Sequence, residues 1–404
     1  MRRLLPLLTG LLTACTTQAP LPGGLERVTG GSQAAARAAQ ELIVGLHPGR
    51  QPQALTQRLG ARTVRRLEAL GAVVMTAPDR DAAVAALRQD PAVRWVEPNG
   101  VVKLPPLTRE APRLPLGSAT GGDPLLEQQW ALPRIEASGA WAVTTGSPKV
   151  TVAVVDTGIY YKHPEFGDRV DPGFDFINRD YDARDDMMHG THCAGIIGAG
   201  LDDGHGIAGV APGVRLLAVK VMDQVGEGTW ANIADGIVYA AQAGVPIMNL
   251  SLGAPNASYT LKQAVAYAVK AGVLVVAAMG NEATDAPSYP AAYPGVLAVG
   301  ATKADDTKAG FSNEGPHLSV VAPGHRVLST VLYGKYEAVS GTSMAAPHVA
   351  GLAALVKAQH PDWPAARIKA HLEATADDLG EPGFDPRFGH GRINARRALA
   401  PTAR

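Results

Sequence analysis

The chain has 404 residues, 46% of them hydrophobic and 18% charged, which is enough apolar surface for a sizeable core in two or three domains and excludes a disordered chain. Lysine plus arginine and aspartate plus glutamate both number 37, so no net field steers the protein toward nucleic acid or anionic lipid. The two cysteines, Cys15 and Cys193, argue against a disulfide framework.

The chain begins MRR, then LLPLLTGLLTAC. Basic residues, a short apolar run and small residues make residues 1–15 an export signal, too short to span a bilayer comfortably. Leu12, Thr13, Ala14 and Cys15 resemble a bacterial lipobox, in which Cys15 is lipidated; an ordinary signal peptide with an incidental cysteine is the other reading. Either way the mature protein works outside the cytoplasm. Residues 16–40, rich in Ala, Gly, Gln and Thr, suit a flexible tether. From Glu41 the pattern changes. ELIVGL reads as a strand, QPQALTQRLG as a short helix, TVRRL and AVVMTA as strands, DRDAAVAALRQ as a helix started by Asp79, and AVRWVEP as a last strand. The order βαββαβ over residues 41–104 predicts a small α+β, ferredoxin-like unit. Residues 105–122, dense in Pro and Gly, form a linker and the clearest domain boundary.

Residues 123–404 alternate strand and helix patterns: KVTVAVVD, RLLAVKVMD, a helix over TWANIADGIVYAAQAG, VPIMNLSLG, a helix over TLKQAVAYAVKAG, then VLVVAAMGN. Continuous apolar runs separated by helices predict an α/β domain, a parallel sheet covered by helices on both faces. Such sheets place their sites at the carboxyl ends of the strands. The polar residues ending these runs are Asp156, Asp223, Ser251 and Asn281.

The stretch MMHGTHCAGII sets His189, His192 and Cys193 close together. A zinc site lacks the glutamate of HExxH and a companion His or Cys pair. Cys193, with small apolar neighbours at the start of a helix, reads as a packed thiol. In SGTSMAAPHVAGLAALV, Ser343 falls at a helix N-terminus, where backbone N–H groups face an anion such as a tetrahedral intermediate. On that residue alone, a helix cap by Ser343 or Thr342 is the simpler reading.

Taken in order, VAVVDTGI, HGTHCAG, SLG, AAMGNE and SGTSMAAPHVAG resemble the subtilisin-like serine peptidases, most closely the thermitase and proteinase K branches. The resemblance spans roughly residues 123–398, and residues 41–104 are similar to the family's inhibitory pro-domain. It implies a subtilisin-like catalytic domain with Asp156 as orienting carboxylate, His189 as general base and acid, Ser343 as nucleophile and Asn281 as oxyanion donor. His192 is then structural, and Cys193 a buried neighbour without a catalytic role.

The resemblance further implies that an extended peptide substrate lies between Ser251, Leu252, Gly253 and the Val225–Gly228 segment containing Gly226 and Gly228. Ala278, Met279, Gly280 and Ser288 would line the pocket before the scissile bond, with Glu282 at its rim. The small residues favour apolar or broad preferences, Glu282 and Glu227 offer an attraction for basic side chains instead, and the sequence leaves both readings open. A structural calcium ion is implied, with Asp123, Glu165 and Asp203 as ligands. The expectation is a monomeric, exported, self-processing serine endopeptidase of broad specificity. It would be inhibited by its own pro-domain, act on proteins and peptides, and require no cofactor for the chemistry. The alternative is a catalytically silent binding protein on the envelope.

Overall fold

A computed structural model describes residues 33–112 and 122–401. The export signal with Cys15, the first part of the tether and residues 113–121 of the linker lie outside the described residues. The N-terminal unit runs β1 (Glu41–Leu46), α1 (Gln53–Leu59), β2 (Arg62–Leu67), β3 (Ala72–Thr76), α2 (Arg80–Arg88) and β4 (Val93–Pro98). Its sheet has the order β2-β3-β1-β4, antiparallel throughout, which is the ferredoxin-like arrangement expected from the element order. Asp79 starts α2 by accepting the Ala82 N–H at 2.9 Å. Strand alternation divides the unit's apolar residues between two cores. Leu42, Val44, Val73 and Met75 pack with Leu55, Ala83 and Leu87 of the helices. Ile43 and Val74 face the other way, into a core shared with the large domain.

The large domain carries a seven-stranded sheet. Its strands are β7 (Thr151–Asp156), β8 (Val170–Asp171), β9 (Arg215–Lys220), β11 (Ile247–Leu250), β12 (Leu274–Ala278), β13 (Leu297–Thr302) and β14 (Val320–Pro323). The order is β14-β13-β12-β11-β7-β9-β8, parallel throughout. Alternate residues go to opposite faces. Val152 and Val154 join the core beneath α3 (His189–Gly198) and α6 (Thr342–Gln359). Ala153 and Val155 join the core beneath α4 (Trp230–Gln242) and α5 (Tyr259–Lys270). Burial on both faces explains why these strands read as unbroken apolar runs.

Two small sheets lie outside the expected pattern. β5 (Val101–Lys103) pairs with β10 (Glu227–Thr229), and β6 (Arg109–Glu110) joins β16 (Lys335–Val339), which pairs with β15 (Val327–Val331). Part of the Pro-rich linker is therefore strand. Residues 101–103 and 109–110 owe that state to a partner edge and not to a periodicity of their own.

Candidate active site

β7 ends at Asp156 and α3 begins at His189, and neither side chain is exposed. His189 Nδ1 lies 2.8 Å from Asp156 Oδ1, which also accepts the Thr157 N–H at 2.7 Å. Burial alone would depress the imidazole pKa; the charge and hydrogen bond of Asp156, with the charge of Asp185 behind it, outweigh burial and raise it. With Nδ1–H held by the carboxylate, the neutral ring presents Nε2 as an acceptor. That nitrogen is buried and has no hydrogen-bond partner.

Asp185 braces this corner. Its Oδ1 accepts from Thr157 Oγ1, Met187 N and Met188 N, each at 2.9 Å, and its Oδ2 from Thr191 N at 2.9 Å and Thr191 Oγ1 at 2.6 Å. Met188, immediately before His189, is held at φ 105°, a left-handed conformation costly for a side-chain-bearing residue.

Ser343 is the second residue of α6, as the sequence places it. Neither it nor Thr342 caps the helix; Gly341 holds that position without a side-chain bond. Ser343 Oγ donates to the Ser251 carbonyl at 3.0 Å. Thr342 ties its helix to the end of β12: the Thr342 N–H and Oγ1–H donate to Asn281 Oδ1 at 2.8 and 3.0 Å, and Thr342 Oγ1 accepts Gly280 N–H at 3.1 Å. Committing Oδ1 to Thr342 leaves the Asn281 amide nitrogen for the opposite side. A Cβ on Gly341 would stand 3.7 Å from it.

Of His189, His192 and Cys193, His189 is the one hydrogen-bonded to Asp156. His192 is buried, its Nε2 lies 3.0 Å from the Glu337 carbonyl, and burial pushes its pKa down to about 3. Cys193 lies near enough to Asp156 and His189 for their ligand atoms to fall within 4.8 Å of one another. Burial raises the thiol pKa well above its ordinary value, and Sγ–H donates to the Ser343 carbonyl at 3.4 Å. A protonated, hydrogen-bonded thiol is a poor metal ligand and a poor nucleophile.

The cleft beside Ser343 is filled by the chain itself. Lys103 pairs with Glu227, Val102 with Gly228 and Val101 with Thr229, antiparallel, and Leu104 N–H donates to the Gly226 carbonyl at 2.9 Å. Both glycines are required here: Gly226 has φ 76°, and a Cβ on Gly228 would lie 2.6 Å from the Val221 carbonyl oxygen. Asp223 shapes this turn by accepting Val225 N–H and Glu227 N–H at 3.1 and 3.0 Å. Lys103 Nζ sits 2.8 Å from Glu227, so that carboxylate already holds a basic side chain. Beyond Leu104 the chain borders a cavity of about 220 Å³. Ser251, Leu252, Gly253, Ala278, Gly280, Asn281, Ser288 and Ser343 line it, with Leu104, Pro105 and Pro106. The Ser251–Gly253 side forms the wall but contributes no backbone ladder to the tail among the described residues. Met279, expected in the pocket, is buried in the core beneath α4 and α5. Glu282 lines the cavity, with Oε2 accepting from Asn281 N–H at 2.9 Å and Asn313 Nδ2 at 2.7 Å.

The N-terminal unit grips the two helices flanking this cleft. Glu97 accepts from Ser258 Oγ at 3.0 Å, Tyr259 N at 3.0 Å and Thr260 N at 2.8 Å at the start of α5. Asn99 Oδ1 accepts Ala231 N–H at 3.0 Å, and the Gly100 carbonyl accepts Trp230 N–H at 2.8 Å, at the start of α4. Trp95 stacks obliquely on Tyr259, ring centroids 4.8 Å apart.

Asp123, Glu165 and Asp203 lie close enough to interact electrostatically, away from this cleft, but among the described residues their oxygens do not converge within 4.8 Å of one another as a ready-made ligand set. Asp123 accepts Asp202 N–H and Asp203 N–H at 3.0 and 3.2 Å. Glu165 Oε1 accepts Ile207 N–H at 2.9 Å and Tyr336 O–H at 2.8 Å; Oε2 is buried without a partner. Burial, with Asp203 and Asp123 nearby, pushes the Glu165 pKa up to about 7.

Sequence reasoning missed Asp185, the Thr342–Asn281 tie and the Glu282–Asn313 contact. Asp185, four residues before His189 in DDMMHG, carries the signal of a polar residue ahead of a helix start. The other two are tertiary contacts with no local pattern.

Residues 147–391 match the family model described as "Subtilase family", and residues 28–99 match one described as "Fervidolysin N-terminal prodomain". The chain is 41% identical to a thermophilic serine proteinase of Bacillus sp. (strain AK1), over 79% of this chain and 76% of that protein. It is 42% identical to thermitase of Thermoactinomyces vulgaris, over 69% of this chain and 99% of that protein. The crystal structure of fervidolysin from Fervidobacterium pennivorans, a keratinolytic enzyme related to subtilisin, superposes with a TM-score of 0.80 at 29% identity. The match covers 90% of this chain and 61% of the fervidolysin chain.

Proposed function

Since the chain belongs to the subtilase family of serine peptidases, we propose that it is an exported endopeptidase of broad specificity, made as a self-processing zymogen. Ser343 Oγ attacks the scissile carbonyl while His189 Nε2 takes its proton; Asp156 holds the imidazole in the required tautomer and stabilises the imidazolium. The tetrahedral oxyanion is received by Asn281 Nδ2 and the Ser343 backbone N–H. His189 then returns the proton to the leaving amine, and water repeats the sequence on the acyl-enzyme. The observation that carries this reading is the buried pair of His189 Nδ1 and Asp156 Oδ1 at 2.8 Å, with Nε2 free to accept.

Residues 41–104 act as the inhibitory pro-domain, residues 105–122 as the linker and residues 123–404 as the peptidase domain, with the maturation cut between about Pro98 and Asp123. Antiparallel pairing of β5 on β10 supports a product-like mode of inhibition. The residues 1–15 pattern supports export, and Cys15 is the residue that would tie the precursor to a membrane. Small residues around the cavity, Ala278, Gly280 and Ser288, favour a wide range of side chains.

A structural calcium ion at the acidic loop is supported by Glu165 Oε2, buried with no donor, and by the negative charge of Asp123 and Asp203 nearby; binding would require those carboxylates, now spread on backbone N–H groups, to draw together around the ion. It would hold the loop after α3 in place and take no part in the chemistry. The second reading, a silent binding protein, finds no support in relatives named as proteinases.

Incubation of the purified protein with casein, with and without a serine-reactive phosphonate, tests the reading. Hydrolysis should be blocked by the phosphonate and absent from Ser343→Ala, whose precursor should also stay unprocessed. Casein hydrolysis by Ser343→Ala would overturn it.

A further inference from the structure

One continuous stretch of chain passes across the active site. Upstream it is held by β5 on β10, where Lys103 pairs with Glu227 and Leu104 N–H reaches the Gly226 carbonyl at 2.9 Å. Downstream it is held by β6 on β16, where Arg109 pairs with Val339 and Glu110 with Ala338. Between these anchors, Leu104, Pro105 and Pro106 border the cavity that also contains Ser251, Asn281 and Ser343. The chain thus runs uncut past the nucleophile, paired to one wall of the cleft and bordering the cavity that Ser343 lines.

We propose that Pro105 and Pro106 make this seated segment a cleavage-resistant plug, so that the maturation cut falls at another bond of the linker after the segment has left the cleft. Of the bonds joining the cavity-lining residues 103–106, Lys103–Leu104 lies within the ladder, its N–H held by the Gly226 carbonyl, and in the other two, Leu104–Pro105 and Pro105–Pro106, the nitrogen that must leave is a proline nitrogen. Cleaving either bond requires His189 to deliver a proton to that nitrogen. There the ring Cδ takes the place of the amide hydrogen, and the ring fixes φ, so the nitrogen cannot turn toward the imidazole. Pro105 is itself confined to an extended conformation by the proline after it, which suits binding and further restricts adjustment.

The position of the nucleophile fits the same account. Pro105 and Pro106 have no backbone N–H to offer the cleft. The Ser251 carbonyl instead accepts the Ser343 hydroxyl at 3.0 Å, and His189 Nε2 is left without a hydrogen-bond partner. The seated state therefore hinders both halves of the reaction, attack and departure. Both prolines are exposed and belong to no hydrophobic core among the described residues.

This inference rests on Ser343 being the nucleophile, and the test separates the two. Full-length wild type, Pro105→Ala/Pro106→Ala, and that double variant carrying Ser343→Ala are incubated over a range of protein concentrations. Products are located by N-terminal sequencing and mass spectrometry. The double variant should be cut at 104–105 or 105–106, independently of concentration, and faster by roughly 10²-fold or more than wild type is cut at those bonds, the scale of one proton-transfer contribution. The Ser343→Ala form should stay intact. Wild-type cleavage at either bond would overturn the proposal. So would a double variant that leaves both bonds intact while its peptidase domain, freed by limited trypsin treatment, clears casein on a zymogram. A freed wild-type domain that clears no casein would instead overturn the peptidase reading, and the plug with it.

Discussion

Glu97 connects the inhibitory unit to the peptidase domain through one carboxylate, and replacing it with glutamine should loosen the closed precursor by a calculable amount. In the structure Oε1 accepts from Ser258 Oγ and Thr260 N, and Oε2 from Tyr259 N, while Ser258 Oγ caps Leu261 N–H at 3.1 Å. The first N–H donors of α5 are thereby divided between the two domains. When the unit leaves, those donors turn to water and are not stranded, so the loss is a net hydrogen-bond energy and not a burial penalty. Hydrogen bonds to a charged group contribute roughly 1.5–3 kcal/mol, and a negative charge at a helix N-terminus roughly 0.3–1 kcal/mol. Glutamine keeps one acceptor oxygen, which places the expected loss near 2 kcal/mol, or roughly 30-fold in the closed-to-open ratio. The assay is the initial rate at which freshly purified precursor hydrolyses a small peptide, since only open molecules turn over. Glu97→Gln should raise that rate by the stated factor, and the increase should shrink at about 1 M salt, where exposed charge is screened. A rate within about three-fold of wild type at low salt would show that the cap stabilises α5 in both states and does not grip the pro-domain.

Asn281→Ala should lower kcat by about 10²–10³, the established value of this donor in subtilisins and not a figure worked from the present distances, with KM little changed; an unaltered kcat would mean that the oxyanion is held elsewhere. Chelation of calcium should lower the melting temperature of the mature domain, by roughly 5–10 °C if the free ion had been at about 100 times its Kd. Glu165→Gln should remove most of that dependence, and coincident melting curves in calcium and chelator would exclude the site. The raised pKa of His189 implies that kcat/KM falls as pH drops through a value above the ordinary 6.5 for histidine, because the base must be neutral to accept the serine proton; an acid limb centred at or below 6.5 would contradict the part given to Asp156 and Asp185.

Most of the fold was legible because its strands are decided by their own composition. β7, β9, β11 and β12 are buried on both faces and read as apolar runs, and the polar residue closing a run, Asp156, Ser251 or Asn281, falls where the cleft is built. Helix starts were readable where a side chain caps them, as at Asp79 and Thr229. Asp223, which closes a run in the same way, shapes a turn, because nothing in one run tells a ligand-facing carboxylate from one that folds back on its own loop. Met279 was misplaced because a motif taken as a block ignores parity: it continues the alternation of Val275 and Ala277 into the core beneath α4 and α5, while Leu274, Val276 and Ala278 face the other way.

The illegible parts share a physical cause. Residues 101–103 and 109–110 carry no alternation of their own and sit among prolines, yet they become strands because β10 and β16 offer open edges with unpaired backbone groups. An edge that accepts a strand by main-chain hydrogen bonds is indifferent to most of its side chains, so the added sequence need not resemble a strand. That same indifference would let a peptidase cleft take more than one sequence into one backbone register. It also means that affinity for the edge cannot distinguish substrate from inhibitor. The distinction has to come from the few positions at the nucleophile, where an N–H and a leaving nitrogen are needed, and there this chain places Pro105 and Pro106.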